Sequence, residues 1–560
     1  MSYMFYGCSS LAEIKIEAFD TADTTDMSFM FADCSSLTSI NLNGFDTGSV
    51  KLMDHMFSNC KSLTSLDFKS FDTSSVNTME SMFENCENLV RIENLKFKTE
   101  EVELMTNMFS GCHSLTSIDV STFNTEYVQD MRQMFDECRS LTSLNLRNFK
   151  TKNVIDLSYF ASDCSSLVYI DVSSFEGDSL ELANGMFYGD VKLESVSLPK
   201  LNTKNVEDLS EMFQYCESLT SVDISGLDTS SAITLSYFFS NCFKLRRVDI
   251  KNFHTENVEE FDEMFSNCTS LTSIELSNNF KTTESVDFEK MFYNCYSLTS
   301  IDVSNFEGRN LEYMTSMFEN CTLIKSLSFN NLYTERLFYF NNVFKDCTSL
   351  ESVYMPKIDT STVESFTGVF SNCVSLKNLD ISNFHTSEAQ GFSDMFLNCK
   401  QLKSLDLSSF DVSYSKYFDS MFEGCESLES LNIKTWETDN AMDMKRMFKN
   451  CKGLSSLELS KFKTDNVLYM NDMFASCTSL TSLDLSTFKT NKVSNMSAMF
   501  YEDQNLAELD IRNFDSSNCN HFESMFEKAY ENITVVIDKN KCSNMIKYLP
   551  ENAQYKESLF

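Results

Sequence analysis

The sequence predicts an α/β solenoid of about 21 turns, each adding one short helix and one short strand. Three observations carry this. Cysteines recur every 26 residues, at Cys8, Cys34, Cys60, Cys86, Cys112, Cys138 and Cys164. The series resumes at Cys216, Cys242 and Cys268 and, after one 27-residue step, runs from Cys295 to Cys477, while Asp190, Asp503 and Ala529 hold the other slots. Ahead of each cysteine the apolar residues are spaced 3, 4 and 3 apart, as in Val50, Met53, Phe57 and Cys60, which is the inner face of a helix. After it, Leu63, Leu66 and Phe68 point inward while Ser65, Asp67 and Lys69 point outward, the alternation of a strand.

Each element follows from its residues. Thr47 stands where a helix N-cap belongs, and Thr73, Thr99, Thr125 and Thr151 repeat it. Asn59 and its equivalents, mostly Asn, Gly or Asp, suit the left-handed end of a helix; Gly111 fills that slot in its unit. Phe71 opens the turn back to the next unit. The extra residue in "LSNNFKT" (277–283) reads as a bulge at Asn278 or Asn279. No unit closes its own core, so equivalent slots stack into ladders. Strands stack at about 4.8 Å, which makes a rod on the order of 100 Å long. Helices need more room, so the rod is expected to curve with its strands on the concave side. The solenoid is assigned to residues 1–530 and a polar C-terminal cap to 531–560, with a last strand in "NITVVIDKN" and a short helix in "CSNMIKYLP". At the other end Met4, Phe5 and Leu11 leave an apolar edge, to be covered either by a cap upstream or by something else, such as another copy of the chain, which raises a self-assembly hypothesis.

The recurrent phrase, MxxMFxxCxSLTSLDLSxFDTSxV, resembles a leucine-rich repeat and, more closely, the 26-residue repeat of bacterial surface proteins, the BspA-like class. The resemblance covers about residues 1 to 530. It implies a right-handed leucine-rich-repeat coil and a cell-surface or secreted protein, some relatives of which adhere to matrix or host proteins. It carries no catalytic motif. The chain departs from the usual pattern in placing Phe, not Asn, after the strand (Phe45, Phe71, Phe123, Phe149).

Composition narrows the function classes. The net charge of -37 disfavours nucleic acid and anionic membrane surfaces, both of which need basic patches. No apolar run approaches the ~20 residues that span a bilayer. "MSYMFYGCSS" is no signal peptide, but Met1 aligns with Met27 and Met53, so an upstream segment is expected to be missing. The five histidines are scattered, and no phosphate loop, nucleophile elbow or H-E-x-x-H occurs, so the chain does not read as an enzyme.

The ladders separate packing from function. No C-x-x-C pair occurs, and the cysteine is the last apolar position of its face, so the thiols read as free and buried. Cys519 and Cys542 lie off the ladder and would suit a capping disulfide in a secreted protein. The Met-Phe ladders and Trp436 read as core. The outward strand slot is different: it is mostly acidic, as core packing does not require, and stacked carboxylates repel. The candidate partner-binding residues are Asp67, Asp119, Asp171, Asp223, Asp249, Asp302, Tyr354, Asp380, Asp406, Asp484 and Asp510. Serines flank them, Tyr169 and Tyr354 add rings, and Arg91 and Arg247 add positive charge.

Three readings of this face stay open: a solvated edge that prevents aggregation, a dock for a basic or host-matrix protein, and a calcium site. No other cofactor is expected. The expected function is a non-enzymatic interaction or adhesion protein at the cell surface. The alternatives are a self-assembling rod and a cytoplasmic scaffold, the latter favoured by so many free thiols.

Overall fold

The computed structural model describes residues 1–557. They form two compact units, Met1–Thr282 and Thr283–Phe560, each a parallel β-solenoid. The first unit carries β1 (Ser65–Asp67), β2 (Arg91–Glu93), β3 (Ser143–Asn145), β4 (Tyr169–Asp171), β5 (Ser195–Ser197), β6 (Ser221–Asp223), β7 (Arg247–Ile250) and β8 (Ser273–Leu276). The second carries β9 (Ser326–Ser328), β10 (Ser352–Tyr354), β11 (Asn378–Leu379), β12 (Ser404–Asp406), β13 (Ser430–Asn432), β14 (Ser482–Asp484), β15 (Glu508–Asp510), β16 (Thr534–Ile537) and β17 (Gln554–Glu557). Paired strands keep the sequence register, as in Leu66↔Ile92, Leu144↔Ile170 and Leu483↔Leu509.

The helix of each repeat does not form. Among the described residues the only helix is a 3-10 turn, Ile546–Tyr548. The Met-x-x-Met-Phe-x-x-Cys segment is instead a run of linked turns. Met56, Ser58 and Cys60 each donate their N–H three residues back, to Met53, His55 and Phe57, at 3.1–3.3 Å. Between them Met53, His55, Phe57 and Asn59 donate forward to Thr78, Glu80, Met82 and Glu84 of the next turn. His55 and Asn59 have φ of 54° and 59°, and the same two slots are left-handed throughout both units. A helix needs φ near −60° at every residue, so a left-handed residue every fourth position forbids it. The Met53–Met56 and Phe57–Cys60 bonds each close over a left-handed third residue, His55 and Asn59, as in a type II turn, whereas the His55–Ser58 bond between them closes over Phe57, which is not left-handed. The 3-4-3 spacing still points Met53, Met56, Phe57 and Cys60 inward, all fully buried, which is why it imitated a helix.

Two further expectations change with it. Thr47 caps no helix: it is buried, donates to the Asp72 carbonyl (2.9 Å) and accepts the Asp72 N–H (2.8 Å), tying one turn to the next. Thr73, Thr99, Thr125, Thr203, Thr229, Thr360 and Thr464 do the same. Asn59 ends no helix either. Its amide donates to Asp33 Oδ1 (2.9 Å), Asn85 donates to Asn59 (3.1 Å), and in the second unit Asn398 donates to Asn372 (2.8 Å). Gly111 sits left-handed under this row, where a Cβ would fall 2.3 Å from Asn85 Oδ1.

The core is built of stacked rings. In the first unit Phe5, Phe31, Phe57, Phe83, Phe109 and Phe135 stack at 5.4–6.1 Å, nearly parallel. In the second unit Phe344, Phe370, Phe396, Phe422, Phe448 and Phe474 stack at 5.5–5.8 Å. Such pairs contribute about 0.5–1.5 kcal/mol each beyond their buried area. Trp436 is fully buried, and its indole N–H donates to the Leu407 carbonyl at 3.0 Å.

The thiols are free and, apart from Cys8, buried. The buried ladder sulfurs donate to phenylalanine carbonyls of the preceding turn, as Cys34 does to Phe5 (3.1 Å), Cys60 to Phe31 (3.2 Å) and Cys477 to Phe448 (3.0 Å). Burial pushes the thiol pKa up, to about 12 at Cys112 and Cys268. Cys519 and Cys542 are also free, so the capping disulfide is absent; Cys542 donates to the Phe514 carbonyl instead.

The extra residue near Asn278 makes no bulge. β7 and β8 keep their register (Asp249↔Glu275), and the surplus is absorbed in the turn where Phe280 N–H reaches Ser277. At the C-terminus the expected strand is β16. The expected short helix shrinks to the 3-10 turn, and the chain returns as β17, which pairs with β16 over Thr534↔Gln554 to Ile537↔Glu557.

Candidate functional site

The candidate residues all lie on the strand face, five in the first unit (Asp67 to Asp249) and six in the second (Asp302 to Asp510). Asp119 and Asp302 sit at strand slots outside any assigned strand, and Asp380 lies one residue beyond β11.

Each carboxylate has a local task that sequence reasoning did not assign. One oxygen accepts the N–H two residues on: Asp67 from Lys69, Asp119 from Ser121, Asp171 from Ser173, Asp223 from Ser225, Asp249 from Lys251. Asp302, Asp380, Asp406, Asp484 and Asp510 repeat this with Ser304, Ser382, Ser408, Ser486 and Arg512 at 2.9–3.2 Å. This is the Asx turn, in which an Asp side chain replaces a backbone acceptor. The signal was legible: a serine often follows two residues after the aspartate. Asn41 and Asn145 fill the slot in the same way, so the turn needs an acceptor and not a charge. The serine hydrogen bonds hold the carboxyls of Asp119, Asp171, Asp223, Asp302, Asp380 and Asp406 below the usual range.

The repulsion between stacked carboxylates is relieved from within. Asp67 faces Glu93 across the β1–β2 pair, with Arg91 on Glu93 (2.8 Å) and the Asn94 amide on Asp67 (2.7 Å). Asp249 and Glu275 share Lys251. Asp484 faces Asp510, which holds Arg512. Arg247, expected to add positive charge to the face, lies on β7 in register with Ser273.

Two hollows interrupt the face. In the first unit one of about 400 Å³ lies over β4 to β6, lined by Tyr169, Asp171, Ser173, Ser195, Ser221 and Asp223 among others. Here β4 and β5 pair only at Tyr169↔Ser195. Asp171 is held under Arg147 (2.9 Å) and is only 7% exposed, whereas Tyr169 is 50% exposed. In the second unit a hollow of about 290 Å³ is lined by Asp484, Glu508, Asp510 and Lys556 among others. Tyr354, 58% exposed, stands on β10 beside Ser328. The candidate residues thus form two rows rather than one cluster. Among the described residues no group of three or more His, Cys, Asp or Glu is placed to hold a metal ion, and no helix is long and apolar enough to cross a membrane.

A stack of 26-residue turns with parallel strands on one face defines the class: a leucine-rich-repeat-like repeat protein. Within it, the chain belongs to the family described as "Mycoplasma protein of unknown function, DUF285", whose model matches residues 1–92, 64–170, 90–197, 182–299, 234–335, 313–431, 338–455 and 416–539. No curated protein sequence matches the chain. Among solved structures it is similar to a leucine-rich cell surface protein from Faecalibacterium prausnitzii (19% identity, 68% of this chain and 82% of that one, TM-score 0.30). It is also similar to a leucine-rich repeat protein from Eubacterium ventriosum (16%, 64% and 83%, TM-score 0.28). A plant peptide hormone receptor solved with its hormone matches at 16% identity over 94% of this chain and 95% of that one, with a TM-score of 0.22.

Proposed function

We propose that this chain is a BspA-like, non-enzymatic binding protein, displayed at the cell surface or secreted, that holds a basic protein partner on its strand face. One observation carries the reading. The aspartates of the face are immobilised by their own turns through one oxygen, so carboxylate charge is displayed on a rigid ladder at no further ordering cost. Complementary potential then supplies specificity and association rate. A solvated anti-aggregation edge needs no such fixation, and calcium would need several oxygens converging on one point.

The test exploits the asparagines already in the slot. Asp119→Asn, Asp223→Asn and Asp380→Asn keep the turn acceptor and remove the charge. Combined, they are expected to leave the fold intact by circular dichroism. They should weaken retention on immobilised basic and matrix proteins by roughly tenfold or more at low salt. Unchanged retention by the triple variant rules out the face, and retention that requires calcium points to the ion instead.

A further inference from the structure

We infer that the hollow over β4 to β6 is a seat for one cationic side chain, lysine or arginine, of an extended segment of the partner. This rests on the strand-face reading and narrows it to one place. The hollow lies where Ser197 interrupts the acidic row and β4 pairs with β5 at Tyr169↔Ser195 alone. At about 4.8 Å per turn, Asp171 and Asp223 stand roughly 10 Å apart with only a serine between them. The walls are chemically unequal. On one side Asp171 is already occupied: its Oδ2 accepts both Nε and Nη2 of Arg147 (3.2 and 2.9 Å). On the other, Asp223 Oδ1 is spent on Ser225, while Oδ2 meets only the Ser197 hydroxyl, at 3.1 Å. A hydroxyl that donates to a carboxylate keeps two lone pairs for an arriving donor. The Tyr169 ring stands half exposed at the rim. An ammonium or guanidinium seated there would find a carboxylate oxygen, serine hydroxyl oxygens and a ring face, which are the three kinds of acceptor a desolvated cation needs.

The molecule itself makes this choice twice. Arg147 lays its guanidinium on Asp171 from the preceding turn. In the second unit β17 adds to the sheet in parallel and brings Lys556 to the wall of the hollow that Asp484, Glu508 and Asp510 line. There a lysine on an added strand lines the same kind of hollow. Over β4 to β6 no segment of the described chain plays that part. A surplus of carboxylates over cations throughout the chain, net -37, works against an anionic occupant.

The experiment uses the full chain and two defined probes, a decalysine peptide and the neutral oligosaccharide maltoheptaose, titrated by calorimetry at low salt. Three single variants are compared: Asp223→Asn and Tyr169→Ala at the hollow, and Asp406→Asn, which removes the same charge from the second unit. We expect Asp223→Asn to weaken decalysine binding by roughly tenfold and Tyr169→Ala by roughly threefold, with Asp406→Asn, an ordinary rung of the same ladder, weakening it by about twofold. Equal losses from Asp223→Asn and Asp406→Asn would overturn the seat while leaving the acidic-face reading standing. No loss from either would overturn both. Maltoheptaose binding that Tyr169→Ala abolishes, with decalysine unaffected, would make the hollow a sugar site and overturn the inference.

Discussion

Asp190 occupies a cysteine slot, and replacing it with cysteine should stabilise the protein. The carboxyl is completely buried. Its Oδ1 accepts the Cys164 N–H at 2.9 Å, and its Oδ2 has no partner among the described residues. A buried polar atom left unpaired costs about 1–3 kcal/mol. In Asp190→Cys that atom is gone, and the sulfur is placed to donate to a carbonyl one turn back, as Cys216 does to Phe187 (3.2 Å). The Cys164 N–H can then turn to the Ala161 carbonyl three residues back, as the Cys138 N–H does to Phe135. The expected gain is therefore about 1–3 kcal/mol in the local opening free energy.

The gain should depend on pH. Burial, with Asp163 and Asp136 nearby, drives the Asp190 carboxyl well above its ordinary value. The folded chain thus keeps a proton that the unfolded chain releases near pH 4. Stability from this site is complete below about pH 4. It falls as pH rises toward the folded value, by at most about 1.4 kcal/mol per pH unit. The variant lacks this slope, so its advantage widens with pH. Hydrogen exchange of peptides covering 157–193, read at pH 5 and 7.5 after correction for intrinsic rates, measures it, with the 53–86 turns as an internal control. Equal or faster exchange in the variant at pH 7.5, or an advantage that does not grow with pH, would refute the account. A local measure is needed because a long repeat array does not unfold in two states.

Two further outcomes follow from the ladders. Thr229→Val keeps the shape but deletes the hydroxyl that donates to the His254 carbonyl and accepts its N–H, both at 2.8 Å. Two part-buried backbone groups lose their partner, so the turn should open more easily by about 1–3 kcal/mol, visible as faster exchange at 229–258; protection equal to wild type would show that the ladder is not held by this hydroxyl. Native protein treated with an aromatic disulfide reagent should release roughly one thiol equivalent promptly, from exposed Cys8. The other thiols, buried and with burial raising those of the ladder, should react only after denaturation. Rapid reaction of many thiols in native protein would contradict the packing described.

Much of this protein is determined by its sequence alone. The 26-residue period, the inward slots, the short parallel strands and the buried free thiols all follow from which residues repeat, because stacked identical units must bury identical faces. Tertiary structure decided the rest for a physical reason: the bonds that select the backbone path run between turns, not within them. Val50, Met53, Phe57 and Cys60 satisfy a helix and a chain of linked turns equally well, and only the forward bonds from Met53, His55, Phe57 and Asn59 choose between them. Thr47 reads as a cap because the Asp72 backbone it grips lies in the next turn. Asp119 reads as a free charge until its Oδ1 is seen to accept the Ser121 N–H, and the hollow beside Asp223 appears only when Ser197 is stacked between two aspartates.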